Sequence, residues 1–250
     1  MCDHCGCSIV ENHDHHEHSH DHGHEHSHAR EIDVQRSILS RNERLAERNR
    51  GIFMAHKMAA INVMSSPGSG KTALLERTLQ EAGARFRVGV VVGDLATEND
   101  ARRIQAHGVP AIQISTGTAC HLDAHMVHHA LEKLDLDALD ILFIENVGNL
   151  VCPASFDLGE QARVVLMSVT EGEDKPLKYP VMFHTASVVI INKIDLADAV
   201  GFRREAALSN IRRIAPRAQV IGLSARTGEG MAGWLDWLVQ HVERPFSQVE

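Results

Sequence analysis

The chain has 250 residues, of which 44% are hydrophobic and only 4% aromatic, and it carries a formal net charge of −8. That length supports one α/β domain plus an appendage, with a core built mostly from Val, Ile, Leu and Ala. The charge gives no basis for a nucleic-acid partner, no stretch is long and apolar enough to span a bilayer, and the N-terminus lacks a signal-peptide apolar run, so no membrane role and a cytoplasmic location are expected.

Residues 1–30 stand apart as a tail, holding ten of the 18 histidines, six carboxylates and a single Arg. Such a segment buries too little apolar surface to fold alone and is expected to be disordered without metal. Three of the five cysteines, Cys2, Cys5 and Cys7, lie in its first seven residues. An odd cysteine count in a reducing compartment favours metal binding over a disulfide framework. Thiolates spaced Cys-x-x-Cys-x-Cys can wrap one ion, Ni²⁺ in a planar site or Zn²⁺ in a tetrahedral one. The run from His13 to His28 alternates imidazoles with acidic and small residues, a density that binds several late first-row ions.

Residues 31–57 read as an amphipathic helical arm. Ile38, Leu45 and Ile52 recur every seven residues, with Leu39 and Phe53 beside them and arginines on the wetter faces. From residue 58 onward strands and helices alternate. Strands are expected at 59–64, 87–93, 111–114, 139–145, 163–169, 187–192 and 219–223. Helices are expected at 71–82, 97–107, 121–134, 202–214 and 230–243. Continuous Val/Ile strands imply that both sheet faces are covered. The predicted fold is therefore α/β, a mostly parallel P-loop-type sheet flanked by helices, with ligands at the carboxyl ends of the strands.

The first of those ends carries Ser65-Ser66-Pro67-Gly68-Ser69-Gly70-Lys71-Thr72, a phosphate-binding loop between a strand and a helix. Gly68 and Gly70 let the backbone curl so that the N–H groups around Ser69 and Ala73 point at one phosphate chain, and the helix start adds its positive dipole end. Lys71 reaches the β- and γ-phosphates, and the Thr72 hydroxyl can ligate Mg²⁺. The usual pattern begins with Gly six residues before the Lys, and here Ser65 stands there.

The next strand ends in Gly93-Asp94, with Asp100 a few residues on. Both carboxylates suit either the Mg²⁺ shell or the positioning of the attacking water. The following buried strand ends in Glu145-Asn146-Val147-Gly148. Glu145 occupies the place of the acidic residue closing the second phosphate-site strand, and the Gly148 N–H can meet the γ-phosphate. Cys120-His121 and, 32 residues later, Cys152 supply three possible metal ligands. Two such sets facing each other across a dimer would complete a coordination shell. His125 and His128 share a helix face with His121 by spacing and read, with His129, as solvated residues or auxiliary ligands.

Asn192-Lys193-Ile194-Asp195 follows the sixth strand. A carboxylate at Asp195 selects guanine by accepting from its N1–H and 2-amino group, Asn192 can reach the other polar edge of the base, and the Lys193 stem can lie along the ring. Ser224-Ala225-Arg226, after the last strand, is similar to the short loop that closes over the base in GTPases.

Taken together, the Cys2-x-x-Cys5-Gly6-Cys7 terminus, the His tract, the phosphate loop, Cys120-His121-Leu122-Asp123-Ala124, Glu145 to Leu150 with Cys152-Pro153, and Asn192 to Asp195 resemble the HypB family of hydrogenase maturation GTPases. The resemblance covers essentially the whole chain, and Ser65 is shared with the family pattern. It implies slow hydrolysis of GTP, a nucleotide- or metal-promoted homodimer, and binding of Ni²⁺ and Zn²⁺. It also implies work with a HypA-type nickel chaperone, delivering nickel to the hydrogenase large subunit precursor. By position it makes Cys2, Cys5 and Cys7 a tight nickel site and Cys120, His121 and Cys152 a metal site of the G domain (58–250). The segment Glu171 to Lys178 matches a region near the nucleotide, with Lys175 or Lys178 reaching nucleotide across the dimer. Two other roles stay open: a nickel storage protein with a minor GTPase role, which the tail would suit, and a urease-type nickel GTPase. The Cys terminus and Cys120-His121 argue against the latter.

Overall fold

The computed structural model describes residues 25–83, 85–94 and 99–243, with side chains from Ser37 to Val242. The chain begins with the long helix α1 (Glu25–Ala55) and continues through β1 (Ala59–Ser65), α2 (Lys71–Ala82), β2 (Val88–Asp94), α3 (Asn99–Gln105), β3 (Ala111–Ser115), α4 (Ala124–Leu131) and β4 (Ile141–Glu145). It then runs through β5 (Ala162–Ser168), α5 (Lys175–Lys178), α6 (Pro180–His184), β6 (Val188–Asn192), α7 (Arg204–Ile214), β7 (Gln219–Gly222) and α8 (Met231–Glu243). Helix α1 starts inside the expected tail, six residues before the arm was expected to begin.

All seven strands pair in parallel in the order β3-β2-β4-β1-β5-β6-β7. The chain moves outward from β1 through β2 to β3. It returns to insert β4 beside β1, then grows the other way. The reversal puts the carboxyl ends of β1 and β4 side by side, with Val63 opposite Glu145. Every residue of β1 is buried, as expected for a strand covered on both faces. Ile61 and Val63 pack with Leu74, Leu75 and Trp234 under α2 and α8. On the opposite face Ala60 meets Phe53 of α1, Val127 of α4 and Leu122 of the loop before α4, while Met64 meets Phe183 and Ile211 of α6 and α7. Burying each such large apolar side chain stabilises the fold by roughly 1.5–3 kcal/mol.

The arm packs by a different stripe from the one its apolar residues suggest. Ile38, Leu45 and Ile52 are only half-buried, whereas Asn42, Ala46, Asn49 and Phe53 face the domain. Asn42 Nδ2 donates to the Asp157 carbonyl at 2.7 Å, and Asn42 Oδ1 accepts from the Ala124 N–H at 2.8 Å. Asn49 Nδ2 donates to the carbonyls of Ala124 at 2.8 Å and Leu158 at 3.1 Å. The loop after Leu158 comes so close that a Cβ on Gly159 would lie 2.5 Å from the Ala46 carbonyl oxygen. Asn49→Ala leaves two buried carbonyls without these donors, so it is expected to cost about 2–4 kcal/mol. Equilibrium urea unfolding checks this, and a change below about 0.5 kcal/mol would show that the asparagine seam does not hold the arm.

Two further differences have local causes. Asp123 caps α4, accepting from the Met126 N–H at 2.8 Å, so the helix begins at Ala124 and not at residue 121. Cys120 and His121 therefore sit in the preceding loop. The short helices α5 and α6, absent from the sequence-based expectation, each open on a Pro near the first position.

Candidate functional site

The cleft at the carboxyl ends of β1, β2 and β4 has a volume of about 390 Å³ and is lined by Gly68, Lys71, Thr72, Asp94, Asp100, Glu145 and Gly148, among others. The phosphate loop forms its floor. Gly68 and Gly70 adopt φ of 74° and 104°, the left-handed region that side chains resist. Gly70 is needed for space as well, since a Cβ there would sit 2.5 Å from Asn192 Nδ2. Lys71 Nζ donates to Ser65 Oγ at 3.2 Å, so the serine that replaces the usual glycine holds the lysine in place. Burial lowers the Lys71 pKa, against the pull of Glu145 and the neighbouring aspartates.

The Thr72 hydroxyl donates to Glu145 Oε1 at 2.7 Å. Burial pushes the Glu145 carboxyl up to about 7, and neither Lys71 nor the Thr72 hydrogen bond offsets it. Its other oxygen, Oε2, is buried with no hydrogen-bond partner. A hydroxyl and carboxylates, one with an orphaned oxygen, form an oxygen-only donor set that fits a hard divalent cation such as Mg²⁺. Asp94 ends β2 at the cleft wall, and Asp100 in the first turn of α3 pairs with Arg103 at 3.2 Å. Gly148 passes directly beside Pro67: a Cβ on it would meet Pro67 Cα at 3.0 Å.

At the end of β6 Asn192 joins two loops of the site. Its Nδ2 donates to the Ser69 carbonyl at 2.8 Å, and its Oδ1 accepts from the N–H groups of Lys193 at 2.8 Å and Ala225 at 3.1 Å. One amide thus ties the phosphate loop to the Ser224–Ala225 loop. Ser224 is fully buried, and its Oγ accepts from the Thr227 N–H at 3.1 Å. Lys193, at φ 61°, donates from Nζ to the Gly68 carbonyl at 2.7 Å, laying its stem along the loop. Asp195 is exposed, with no hydrogen bond or ion pair to the described residues.

Glu171 escaped residue-level notice in the sequence. Its carboxylate accepts from Ser66 Oγ, from Ser69 Oγ at 3.1 Å and from the Ser168 N–H at 2.8 Å, so it braces the phosphate loop from β5. The available signal was the capping-box spacing Ser168-x-x-Glu171 at the end of a central strand. Lys175 Nζ lies 3.5 Å from Glu171, whereas Lys178 pairs with Asp174 at 2.7 Å and does not line the cleft.

Cys120, His121 and Cys152 converge. Their possible ligand atoms all lie within 4.8 Å of one another. The two sulfurs are 2.8 Å apart, a hydrogen-bond contact and not a bond of about 2.05 Å. His121 stacks on Phe156 at 3.8 Å, and burial lowers its pKa, favouring the neutral imidazole that ligates metal. Two thiols and an imidazole suit late first-row ions and leave a fourth position for another ligand. His128 is not part of this cluster. It is buried under α1 with Nδ1 3.2 Å from Asn49 Oδ1. Cys2, Cys5, Cys7 and the side chains of the His13–His28 tract lie outside the described residues.

The cleft and the cysteine cluster share a hinge of hydrogen bonds. Asn146, next to Glu145, accepts through Oδ1 from the N–H groups of Leu122 at 3.2 Å and Val147 at 2.9 Å, and donates to Asn62 Oδ1 at 3.3 Å. Leu122 directly follows His121. Among the described residues, no helix is long and apolar enough to cross a membrane.

The nucleotide-binding domain model of the CobW/HypB/UreG family matches residues 59–222. The hydrogenase maturation factor HypB of Azotobacter vinelandii is 54% identical over 210 residues, 84% of this chain and 69% of that protein. The probable hydrogenase maturation factor HypB of Methanocaldococcus jannaschii is 43% identical over 219 residues, 88% of this chain and 97% of its own. The crystal structure of HypB from Helicobacter pylori in complex with nickel aligns with a TM-score of 0.79 at 38% identity, covering 84% of this chain and 99% of that one. HypB from Archaeoglobus fulgidus aligns with a TM-score of 0.77 at 45% identity, covering 81% and 99%. With 43–54% identity to these curated relatives across more than four fifths of its length, the chain belongs to the CobW/HypB/UreG nucleotide-binding family, within the HypB hydrogenase maturation factors.

Proposed function

We propose that this chain hydrolyses GTP and uses the nucleotide cycle to control a Ni²⁺ or Zn²⁺ cargo held by Cys120, His121 and Cys152, delivering nickel for [NiFe]-hydrogenase assembly. The observation that carries this reading is Asn146. It stands beside Glu145 in the cleft and at the same time holds the backbone next to His121. A shift at the end of β4 therefore moves a ligand of the cluster.

In this reading the loop N–H groups from Gly68 to Ala73, with Lys71, bind the phosphates. Thr72, Asp94 and Glu145 would hold Mg²⁺, which when bound neutralises charge developing on the β- and γ-phosphate oxygens. Asp100 orients the attacking water, and the Gly148 N–H senses the γ-phosphate. Asp195 reads guanine while Asn192, Lys193, Ser224 and Ala225 shape the base pocket. Lys178, exposed and away from the cleft of its own chain, would reach nucleotide across a homodimer. The nickel-bound Helicobacter pylori relative supports the cargo, and the hydrogenase maturation factors among the relatives support the process it serves. In this reading the partners are cytoplasmic: a HypA-type chaperone and the hydrogenase large subunit precursor.

The test is nickel affinity in a Cys2→Ser, Cys5→Ser, Cys7→Ser variant loaded with GDP or a non-hydrolysable GTP analogue. A difference of about tenfold, or about 1.4 kcal/mol of coupling, is expected. Equal affinities in the two forms would end the coupling idea.

A further inference from the structure

We infer that Cys120 and Cys152 are a redox-active dithiol: a peroxide joins their sulfurs in an intramolecular disulfide, which takes both thiols away from the metal cluster. Formation of the bond is independent of the GTPase reading, and only its effect on a metal cargo rests on the proposed function. The two sulfurs lie 2.8 Å apart. A disulfide needs about 2.05 Å, so they have to close by only about 0.8 Å. Two thiolates each about 2.3 Å from one ion would stand about 3.3 Å apart in a planar site and about 3.8 Å apart in a tetrahedral one. The pair therefore stands between the two outcomes. An ion has to spread the sulfurs by about as much as a bond has to draw them in.

The fold holds this separation. Cys120 lies in the loop before α4, and Cys152 opens the turn Cys152–Ser155 after β4. Asn146 Oδ1 accepts from the Leu122 N–H at 3.2 Å, which pins the first loop to the strand end leading into the second. The entropy of closing a 32-residue loop is thus already spent by folding. Cys152 is 3% exposed, whereas Cys120 is partly exposed, and this difference assigns the order of events. The Cys120 sulfur attacks one oxygen of hydrogen peroxide. The O–O bond breaks, the sulfur is oxidised by two electrons to a sulfenic acid, and one water leaves. The Cys152 sulfur then attacks the sulfenic sulfur. The S–S bond forms, the S–O bond breaks, and a second water leaves. One thiol proton departs in each water, so two thiols and one peroxide give one disulfide and two waters. A small thiol such as glutathione reverses the bond by two exchange steps and is itself oxidised to its disulfide. In a reducing compartment such a bond is transient and reports oxidant. Because metal ligation needs thiolates, the oxidised cluster keeps only His121.

The experiment uses the full chain carrying Cys2→Ser, Cys5→Ser and Cys7→Ser, which leaves Cys120 and Cys152 as its cysteines. Hydrogen peroxide is expected to abolish N-ethylmaleimide alkylation at both positions, with the chain still running as a monomer on a non-reducing denaturing gel. Dithiothreitol is expected to restore both. Peptide mass spectrometry should find the two cysteine peptides joined. With Cys152→Ser added, oxidation should stop at a Cys120 sulfenic acid that dimedone traps. Thiols that remain open to alkylation after peroxide, or disulfides found only between chains, would overturn the inference. Two readouts keep it apart from the cargo reading. With free Zn²⁺ held by a nitrilotriacetate buffer at about ten times the dissociation constant of the cluster, disulfide formation is expected to slow about tenfold. The thiolate-to-nickel charge-transfer absorption, which the His tract does not produce, is expected in the reduced protein and lost in the oxidised one. Absence of zinc protection and of that band in the reduced protein would count against the cluster as a cargo site and leave the disulfide standing. A normal band with thiols that peroxide does not join would do the reverse.

Discussion

Glu145→Gln is expected to lower GTP hydrolysis by about 10²–10³-fold and, in the nucleotide-free protein, to flatten the pH dependence of thermal stability. The hydrolysis loss follows from removing a carboxylate whose Oε2 is buried without a partner beside Thr72 and Lys71. The stability effect has a definite sign. Burial raises the Glu145 carboxyl from an ordinary 4.5 to about 7. Between those values the unfolded chain has released this proton while the folded chain retains it. The contribution of Glu145 is therefore fully present below pH 4.5 and is lost as pH rises through about 7, a loss of order 3 kcal/mol at most. The wild-type melting temperature without nucleotide or Mg²⁺ should fall from pH 5 to pH 8. The Gln variant, unable to ionise there, should fall less. Parallel melting profiles for the two proteins would refute this account of the buried carboxyl.

Asp195→Ala is expected to cost about 10²–10⁴-fold in GTP affinity and to erase discrimination against ATP. Two charge-assisted hydrogen bonds to the guanine N1–H and 2-amino group are worth about 1.5–3 kcal/mol each. Asp195 is exposed and makes no hydrogen bond or ion pair to the described residues, so the variant should unfold within about 0.5 kcal/mol of wild type. That separates loss of recognition from loss of fold. Competition between GTP and ATP for a fluorescent guanine nucleotide reads the effect directly. An unchanged GTP-to-ATP ratio would remove Asp195 from the base pocket.

Asn192 and Glu171 show where local reading stops. Asn192 belongs to a recognisable motif, yet the structure uses its amide to tie Ser69 to Ala225. Glu171 lies about 100 residues from the loop it braces, and its only local sign is the spacing from Ser168. The arm makes the same point. Apolar periodicity singled out Ile38, Leu45 and Ile52, but α1 docks through Asn42 and Asn49 because the surface it meets presents unpaired backbone groups near Ala124 and Leu158. Hydrophobic pattern cannot report that, since the partner groups are carbonyls and N–H groups distant in sequence.

The sequence by itself determined the seven strands, the phosphate loop and which cysteines and histidines are candidate ligands. These follow from composition over a few consecutive residues: Val/Ile runs, paired glycines before Lys71-Thr72, and residue types with lone pairs for soft ions. Tertiary structure alone decided which of those residues meet. Strand order set Glu145 beside the phosphate loop and raised its pKa, because burial is a property of neighbours and not of sequence position. The Asp123 cap kept His121 out of α4, letting it turn toward Cys152 and leaving His125 to pair with His129. Asn146 then joined the two halves of the site, through hydrogen bonds that span a sheet edge and a loop no local pattern connects.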